Sequence, residues 1–264
     1  MQPTPAYVLA TVFLPFVAAA VTPLVYRVIG ERTAYFAASV ALVCLGFVSA
    51  LHLDGAHGTV AVEWIPSLGV SLVFFVDGLA LLIAFLATGV GVLILTYSGG
   101  YMHGEPGQAK YYATLLAFMG SMLGVALAAD LIALFVFWEL TSLSSFLLIG
   151  HYTGDDSSLY AARKSMLVTV SGGLFMLVGF LLLVWVSGQV GVGGAGGTYR
   201  LTTMLAESEA MRAGLRDAGL LVPVLALLGV GAATKSAQVP FHVWLPNAME
   251  APTPVSAFLH SATM

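Results

Sequence analysis

Long apolar stretches dominate this sequence and constrain its fold more than any other feature. Seven of them have about 20 residues or more, the length that an α-helix needs to cross the hydrocarbon core of a bilayer. Charged residues make up only 8% of the 264 residues, whereas soluble domains carry roughly 25%. Because so few charges cannot cover a soluble surface, we predict an all-α polytopic membrane protein. The predicted spans cover residues 6–28, 33–52, 71–97, 111–129, 131–150, 161–187 and 220–241.

An eighth apolar stretch runs from Pro252 to Met264, which is too short to cross a membrane. We therefore expect about eight transmembrane helices, the eighth incomplete, and a chain that is the front part of a longer protein. We divide it into residues 1–110, with spans one to three, and residues 111–264, with spans four to eight. Alternating apolar residues within 54–70 predict a short surface hairpin in the first part.

The positions of lysine and arginine predict the orientation in the membrane. The connections after spans two and four carry neither residue, and the loop after span six balances its arginines with acidic residues. We therefore predict a multi-pass plasma-membrane protein with its amino terminus outside. The basic residues after spans one, three and five are Arg27, Arg32, Lys110, Arg163 and Lys164.

The sequence lacks the signatures of an enzyme. Its single cysteine, Cys44, cannot build a metal cluster alone. There is no HExxH, CxxC or Walker motif, and no haem or iron–sulfur ligand pattern. With 9 basic against 13 acidic residues, no basic patch indicates nucleic acid. We therefore predict no redox or hydrolytic centre, no bound metal and no cofactor.

Glu139 lies deep in span five, where a charge costs about 2.5–3.5 kcal/mol on insertion scales and usually serves a function. Ser142 follows at i+3 and shares its helix face. We predict that Glu139 carries protons. A protonated carboxyl that only supports packing is the alternative.

Lys235 lies in span seven, in a stretch that favours an interrupted helix, because Gly229 and Gly231 precede it and Pro240 follows it. Such interruptions are tolerated at membrane depth where protein or water satisfies the freed backbone groups, and they commonly bear ion sites in transporters. We predict that Lys235 is a second proton carrier. A lysine that extends to the membrane interface is the alternative.

Span eight carries a third titratable group, His260, for which we predict a proton relay because imidazole titrates near neutral pH. A histidine satisfied within the core is the alternative. For the charged accessory candidates, topogenic, helix-capping or structural roles are the alternatives. The accessory candidates are Lys164, Glu250, Asp77, Ser142, Ser256 and Thr263.

Two segments resemble the antiporter-like subunits shared by respiratory complex I and Mrp-type Na⁺/H⁺ antiporters. Residues 137–150 (FWELTSLSSFLLIG) resemble their fifth helix, and residues 234–264 (TKSAQVPFHVWLPNAMEAPTPVSAFLHSATM) resemble their seventh and eighth. Residues 168–174 (VTVSGGL) lack the Arg-x-Gly-Asp type sequence of many complex I relatives, since Val170 and Gly173 stand at the charged places. The chain is therefore most similar to the large A subunits of Mrp antiporters.

The resemblance implies a core of two inverted five-helix repeats, of which this chain supplies the first. It also implies that Glu139 and Lys235 form a coupling ion pair, and that Lys235 passes protons toward His260 and the second repeat. The implied partners are other membrane subunits of a hetero-oligomeric complex, the lipid bilayer, and H⁺ and Na⁺ as transported ions.

Three functions stay open from the sequence. The leading hypothesis is a proton-translocating subunit of a multi-subunit cation/proton antiporter. The alternatives are a proton-pumping membrane-arm subunit of a redox-driven complex, of the NADH:quinone oxidoreductase or membrane-bound hydrogenase type, and an assembly scaffold with a degenerate path. Buried Glu139 and Lys235 argue against the scaffold, because apolar residues there would cost less.

Overall fold

The computed structural model describes residues 1–194 and 196–261, which form a mostly helical bundle with one two-stranded sheet. The long helices are α1 (Pro5–Ile29), α2 (Thr33–Leu53), α3 (Gly78–Tyr101), α4 (Gln108–Leu127), α5 (Leu131–Ile149) and α6 (Asp156–Gln189). The shorter helices are α7 (Leu201–Ala206), α8 (Ser208–Asp217), α9 (Leu221–Lys235) and α10 (Thr253–Ser261). The strands are β1 (Gly58–Ile65) and β2 (Val70–Val76).

Five helical stretches of the described chain are long and apolar enough to cross a membrane, or six if the bent pair α8 and α9 counts as one. The first stretch, Pro5–Leu53, comprises α1 and α2. The rings of Tyr7 and Phe47 stack with their centroids 5.4 Å apart, so α2 folds back along α1 as an antiparallel hairpin. The chain is a multi-pass membrane protein, and the number of eight spans stays a prediction.

A two-stranded hairpin lies where the sequence predicts one, but it extends further along the chain than expected. Strand β1 pairs with β2 in antiparallel register, with Gly58 opposite Val76. The predicted start of the third span at residue 71 is therefore wrong. Four of the seven residues of β2 are buried, and hydropathy alone cannot distinguish such an apolar strand from a helical segment. Helix α3 begins only after Asp77, whose carboxylate accepts a hydrogen bond from the N–H of Ala80 at 2.8 Å.

An extended segment between α4 and α5 determines where α5 begins. The N–H of Ala129 donates to the carbonyl of Val73 on β2 at 2.7 Å, and the same segment also pairs with residues 199–201. Asp130 then caps α5 by accepting two N–H groups of its first turn. Because backbone pairing ties this end of α5 to two other segments, it also fixes the position of Glu139, about two and a half turns along the helix.

Helices α6 and α9 approach closely because both carry glycine at their contact. A Cβ on Gly172 of α6 would overlap Thr234 of α9. A Cβ on Gly231 of α9 would lie 2.6 Å from Cβ of Met176 and 3.1 Å from the carbonyl oxygen of Gly172. Small residues allow membrane helices to pack at short distance. This contact holds the end of α9 against the middle of α6.

Candidate functional site

Lys235 is the last residue of α9, and its side chain reaches the middle of α5. Its Nζ donates a hydrogen bond to Oγ of Ser142 at 2.9 Å and lies 5.9 Å from the centroid of the Trp138 ring. Ser142 is only 1% exposed. A hydroxyl oxygen and an aromatic face thus receive the ammonium group, and both stabilise a cation without neutralising it.

Glu139 precedes Ser142 by three residues on α5, so the acid and the base lie in one layer of the bundle. Its Oε1 is buried and accepts no hydrogen bond from residues 1–194 and 196–261. Within that part of the chain no direct ion pair joins Glu139 to Lys235. The structure therefore brings together the two predicted residues, but Lys235 bonds to a neutral hydroxyl rather than to the carboxylate.

The carboxylate of Glu139 packs against the backbone of α6 at Gly173. A Cβ on Gly173 would overlap Oε1 of Glu139, and it would lie 3.0 Å from Cδ of Glu139 and 3.5 Å from Cδ1 of Trp138. In the sequence, Gly173 is notable only because it stands where many complex I relatives have a charged residue. The contact adds a second property, because the missing side chain leaves the space that the carboxylate occupies.

The helix break lies beyond the two glycines predicted to cause it. Gly229 and Gly231 both lie inside α9, which ends at Lys235, so the interruption falls in the second half of the stretch from Gly229 to Pro240. The helix ends because Ala237 adopts a left-handed φ of 50° and the N–H of Gln238 bonds back five residues at 2.8 Å, which closes the last turn. Pro240 lies in the non-α segment that follows.

A side chain satisfies a backbone carbonyl freed at this helix end. Nε1 of Trp244 donates to the carbonyl oxygen of Thr234 at 2.9 Å, and both residues are buried. Trp244 was not among the residues predicted from the sequence. The available signal was an indole N–H a few residues after a helix break, because freed backbone groups at membrane depth need a partner.

A small cavity of about 20 Å³ lies beside Lys235, on the side of α10. This volume suffices for one water molecule where polar partners are present. Ser145 and Thr169 donate their own hydroxyl protons to backbone carbonyls, so their oxygens can accept a hydrogen bond inside the cavity. The lining residues are Phe118, Met122, Ser145, Ser165, Thr169, Lys235, Trp244 and Leu259.

The residues predicted on the eighth span are placed only in part. Ser256 and His260 are half-buried on α10, one turn apart, and His260 directly follows a residue that lines the cavity. Thr263 lies outside the described residues.

The charged accessory candidates lie in two other places. Nζ of Lys164 donates to Oδ1 of Asn247 at 2.9 Å, and Oε2 of Glu250 accepts from the hydroxyl of Ser157 at 3.2 Å. Both bonds tie the start of α6 to the turns before α10. Asp77 caps α3 and lines a separate cavity of about 1050 Å³, so it does not join the group around Lys235.

Two family models match the chain. The model described as "NADH:quinone oxidoreductase/Mrp antiporter, TM" matches residues 128–264, which is more than half of the chain. The model described as "NADH-Ubiquinone oxidoreductase (complex I), chain 5 N-terminus" matches residues 64–112.

Two named relatives are similar over nearly the whole chain. The A subunit of the Na⁺/H⁺ antiporter of Alkalihalophilus pseudofirmus is 45% identical over 255 residues, which are 95% of this chain and 30% of that protein. The A/B subunit of a probable K⁺/H⁺ antiporter of Rhizobium meliloti is 45% identical over 233 residues, 87% of this chain and 22% of that protein. The chain thus spans less than a third of the length of these curated relatives.

Two solved structures share the fold. A chain of the Mrp complex from Dietzia sp. DQ12-45-1b superposes with a TM-score of 0.83 at 33% identity, covering 97% of this chain and 26% of that one. A chain of the membrane-bound sulfane sulfur reductase, an archaeal respiratory membrane complex, gives 0.77 at 18% identity over 97% of this chain and 38% of that one. The second likeness extends to the fold alone.

Proposed function

Because the chain belongs to the NADH:quinone oxidoreductase/Mrp antiporter family, we propose that it is the amino-terminal part of a proton-translocating subunit of a multi-subunit Na⁺/H⁺ antiporter. The 45% identity to the A subunit of an Na⁺/H⁺ antiporter supports this choice within the family. Its partners are further membrane subunits of the complex and the lipid bilayer. The chain contributes no redox or hydrolytic chemistry of its own.

The observation that carries the proposal is the hydrogen bond from Lys235 to Ser142, which lies three residues after Glu139 on α5. An ammonium ion in apolar surroundings holds its proton more firmly beside a carboxylate than beside a hydroxyl. The bond to Ser142 therefore represents the arrangement in which Lys235 is ready to release a proton. Movement of its side chain toward Glu139 restores the arrangement that takes a proton up.

The proton leaves Lys235 through the cavity lined by Ser145, Ser165 and Thr169 toward His260. The cavity has room for one water molecule, which together with these hydroxyl oxygens would form a short polar connection between α9 and α10. Beyond His260, the path continues into a second inverted repeat, for which residues 111–264 form the first. Residues 1–110 form the preceding helices, the amino terminus faces outside, and the complex lies in the plasma membrane.

The test uses Lys235→Ala and Glu139→Ala in the complete antiporter complex, reconstituted in vesicles. Proton flux driven by a sodium gradient should fall to the level of vesicles without the complex. Lys110→Ala and Glu63→Ala are matched controls, since both side chains are exposed, and both variants should retain wild-type flux. Wild-type flux in Lys235→Ala with the complex intact would refute the proposal. Repeating the assay with potassium distinguishes the two cations named for the relatives.

The alternative is a membrane-arm subunit of a redox-driven complex. The likeness of fold to a chain of the sulfane sulfur reductase complex favours it, but the named relatives above are antiporter subunits. Purification of the native complex decides between them. Flavin and iron–sulfur proteins in the complex would establish the redox-driven alternative, and the presence of only small membrane proteins would establish the antiporter.

A further inference from the structure

We propose that Gly173 is a positioning residue for Glu139. Because Gly173 has no side chain, the carboxylate of Glu139 can lie against α6, and this contact determines its distance from Lys235. This inference rests on the proposed function, since it concerns the same acid and base. It assigns a role to α6, a helix that contributes no charged group to this layer of the bundle.

The carboxyl group of Glu139 lies directly against the backbone of α6 at Gly173. Of the atoms nearest to a Cβ built on Gly173, the first two belong to the carboxyl group of Glu139, with Cδ at 3.0 Å. Oε1 is buried and receives no hydrogen bond from the described residues. The backbone of α6 is therefore the surface against which this oxygen rests.

Gly173 differs from the nearby packing glycines, Gly172 and Gly231, in the atoms that an added Cβ would meet. A Cβ on Gly172 would lie 2.6 Å from Cβ of Thr234, and one on Gly231 would lie 2.6 Å from Cβ of Met176 and 3.1 Å from a backbone oxygen. Such atoms cannot move without moving a helix. At Gly173 the overlapped atom is the far end of a flexible side chain, and the next residue, Trp138, stays at an ordinary 3.5 Å.

The consequence is that a methyl group at residue 173 displaces the carboxylate and leaves the helices in place. The interaction of two charges depends on their separation, so this displacement changes how strongly Glu139 influences Lys235. A residue that only supports packing would instead affect the assembly and stability of the protein.

The test compares Gly173→Ala with Gly89→Ala in the complete complex. Gly89 lies in α3, and an added Cβ there meets nothing within 4 Å. Gly89→Ala should retain wild-type flux. Gly173→Ala should lower proton flux about fivefold or more and shift its pH profile by about half a unit, with the complex assembled normally. Wild-type flux and an unchanged pH profile in Gly173→Ala would overturn the inference.

Glu139→Asp supplies the decisive rescue. Aspartate is shorter by one methylene group, so its carboxylate withdraws from the methyl group of Ala at residue 173. Glu139→Asp should lower flux when residue 173 is glycine and raise it in the Gly173→Ala background. If Gly173→Ala fails to assemble, Glu139→Asp should restore both assembly and flux, and a failure to restore them overturns the inference.

The two proposals fail in different ways. Wild-type flux in Lys235→Ala and Glu139→Ala removes the proposed function. Loss of flux in those variants with wild-type behaviour in Gly173→Ala removes only the positioning role.

Discussion

Trp244→Phe should open the end of α9. The substitution removes the indole N–H that donates to the carbonyl of Thr234 at 2.9 Å. The N–H of Ala237 also approaches this carbonyl, but its distance of 3.4 Å is too long to replace the bond from the indole. Leaving a buried acceptor poorly satisfied costs about 1–3 kcal/mol, because no bulk water reaches it.

Hydrogen–deuterium exchange measures this cost locally in the assembled complex. A free-energy loss of about 1–3 kcal/mol should accelerate exchange of the amides in residues 236–244 by about 5- to 150-fold. Trp185→Phe is the control, since Trp185 is 52% exposed on α6, and we expect it to change exchange in the same segment less than about twofold. Equal exchange in the two variants would refute the idea that Trp244 holds the helix end closed.

Two further predictions concern the ends of α5. Asp130→Ala should destabilise the protein by about 0.5–2 kcal/mol because it removes the helix cap, and Asp130→Asn should retain most of the stability; thermal unfolding measures both, and equal loss in the two variants would contradict the capping role. Burial lowers the pKa of His151 below its ordinary value of 6.5, and the charge of Lys110 adds to this effect. The unfolded chain then binds the proton more readily than the folded one, so stability should fall as the pH drops below about 6.5. His151→Gln should flatten the unfolding temperature over this range, and an unchanged slope would refute this origin.

Apolar length predicts most of the helices, and its failures have a common cause. Helices α1, α2, α4 and α5 begin and end within three residues of their predicted bounds, because a polar or charged residue lies within three residues of each end. The sequence pattern predicts strand β2 as part of a helix, since it is apolar on both faces and its pairing partner lies earlier in the chain. The predicted seventh span extends beyond Lys235, where α9 ends. The turn that ends α9 depends on hydrogen bonds to residues after it, which hydropathy does not reveal.

In the candidate site too, some residues could be predicted from the sequence, whereas others depend on contacts between helices. Glu139 and Lys235 could be predicted individually, because a charge inside a membrane span is rare and costly whatever surrounds it. The hydrogen bond from Lys235 to Ser142 could not be predicted. Glu139 and Ser142 share one face of α5, and only the packing of α9 determines which of them Lys235 contacts. Trp244 and Gly173 were missed because their importance depends on which backbone atoms lie opposite them.

Helix α6 shows how one local feature serves both charged residues. Gly172 makes room for Thr234, the residue before Lys235, and the adjacent Gly173 makes room for Glu139. A charged side chain at residue 173 would require the volume that the carboxylate of Glu139 occupies. The lack of charge on this part of α6 therefore has the same origin as the burial of Oε1 of Glu139, because α6 provides the space for an acid that α5 supplies. Introducing a carboxylate with Gly173→Asp should accordingly not increase proton flux, since it would force Glu139 out of its position.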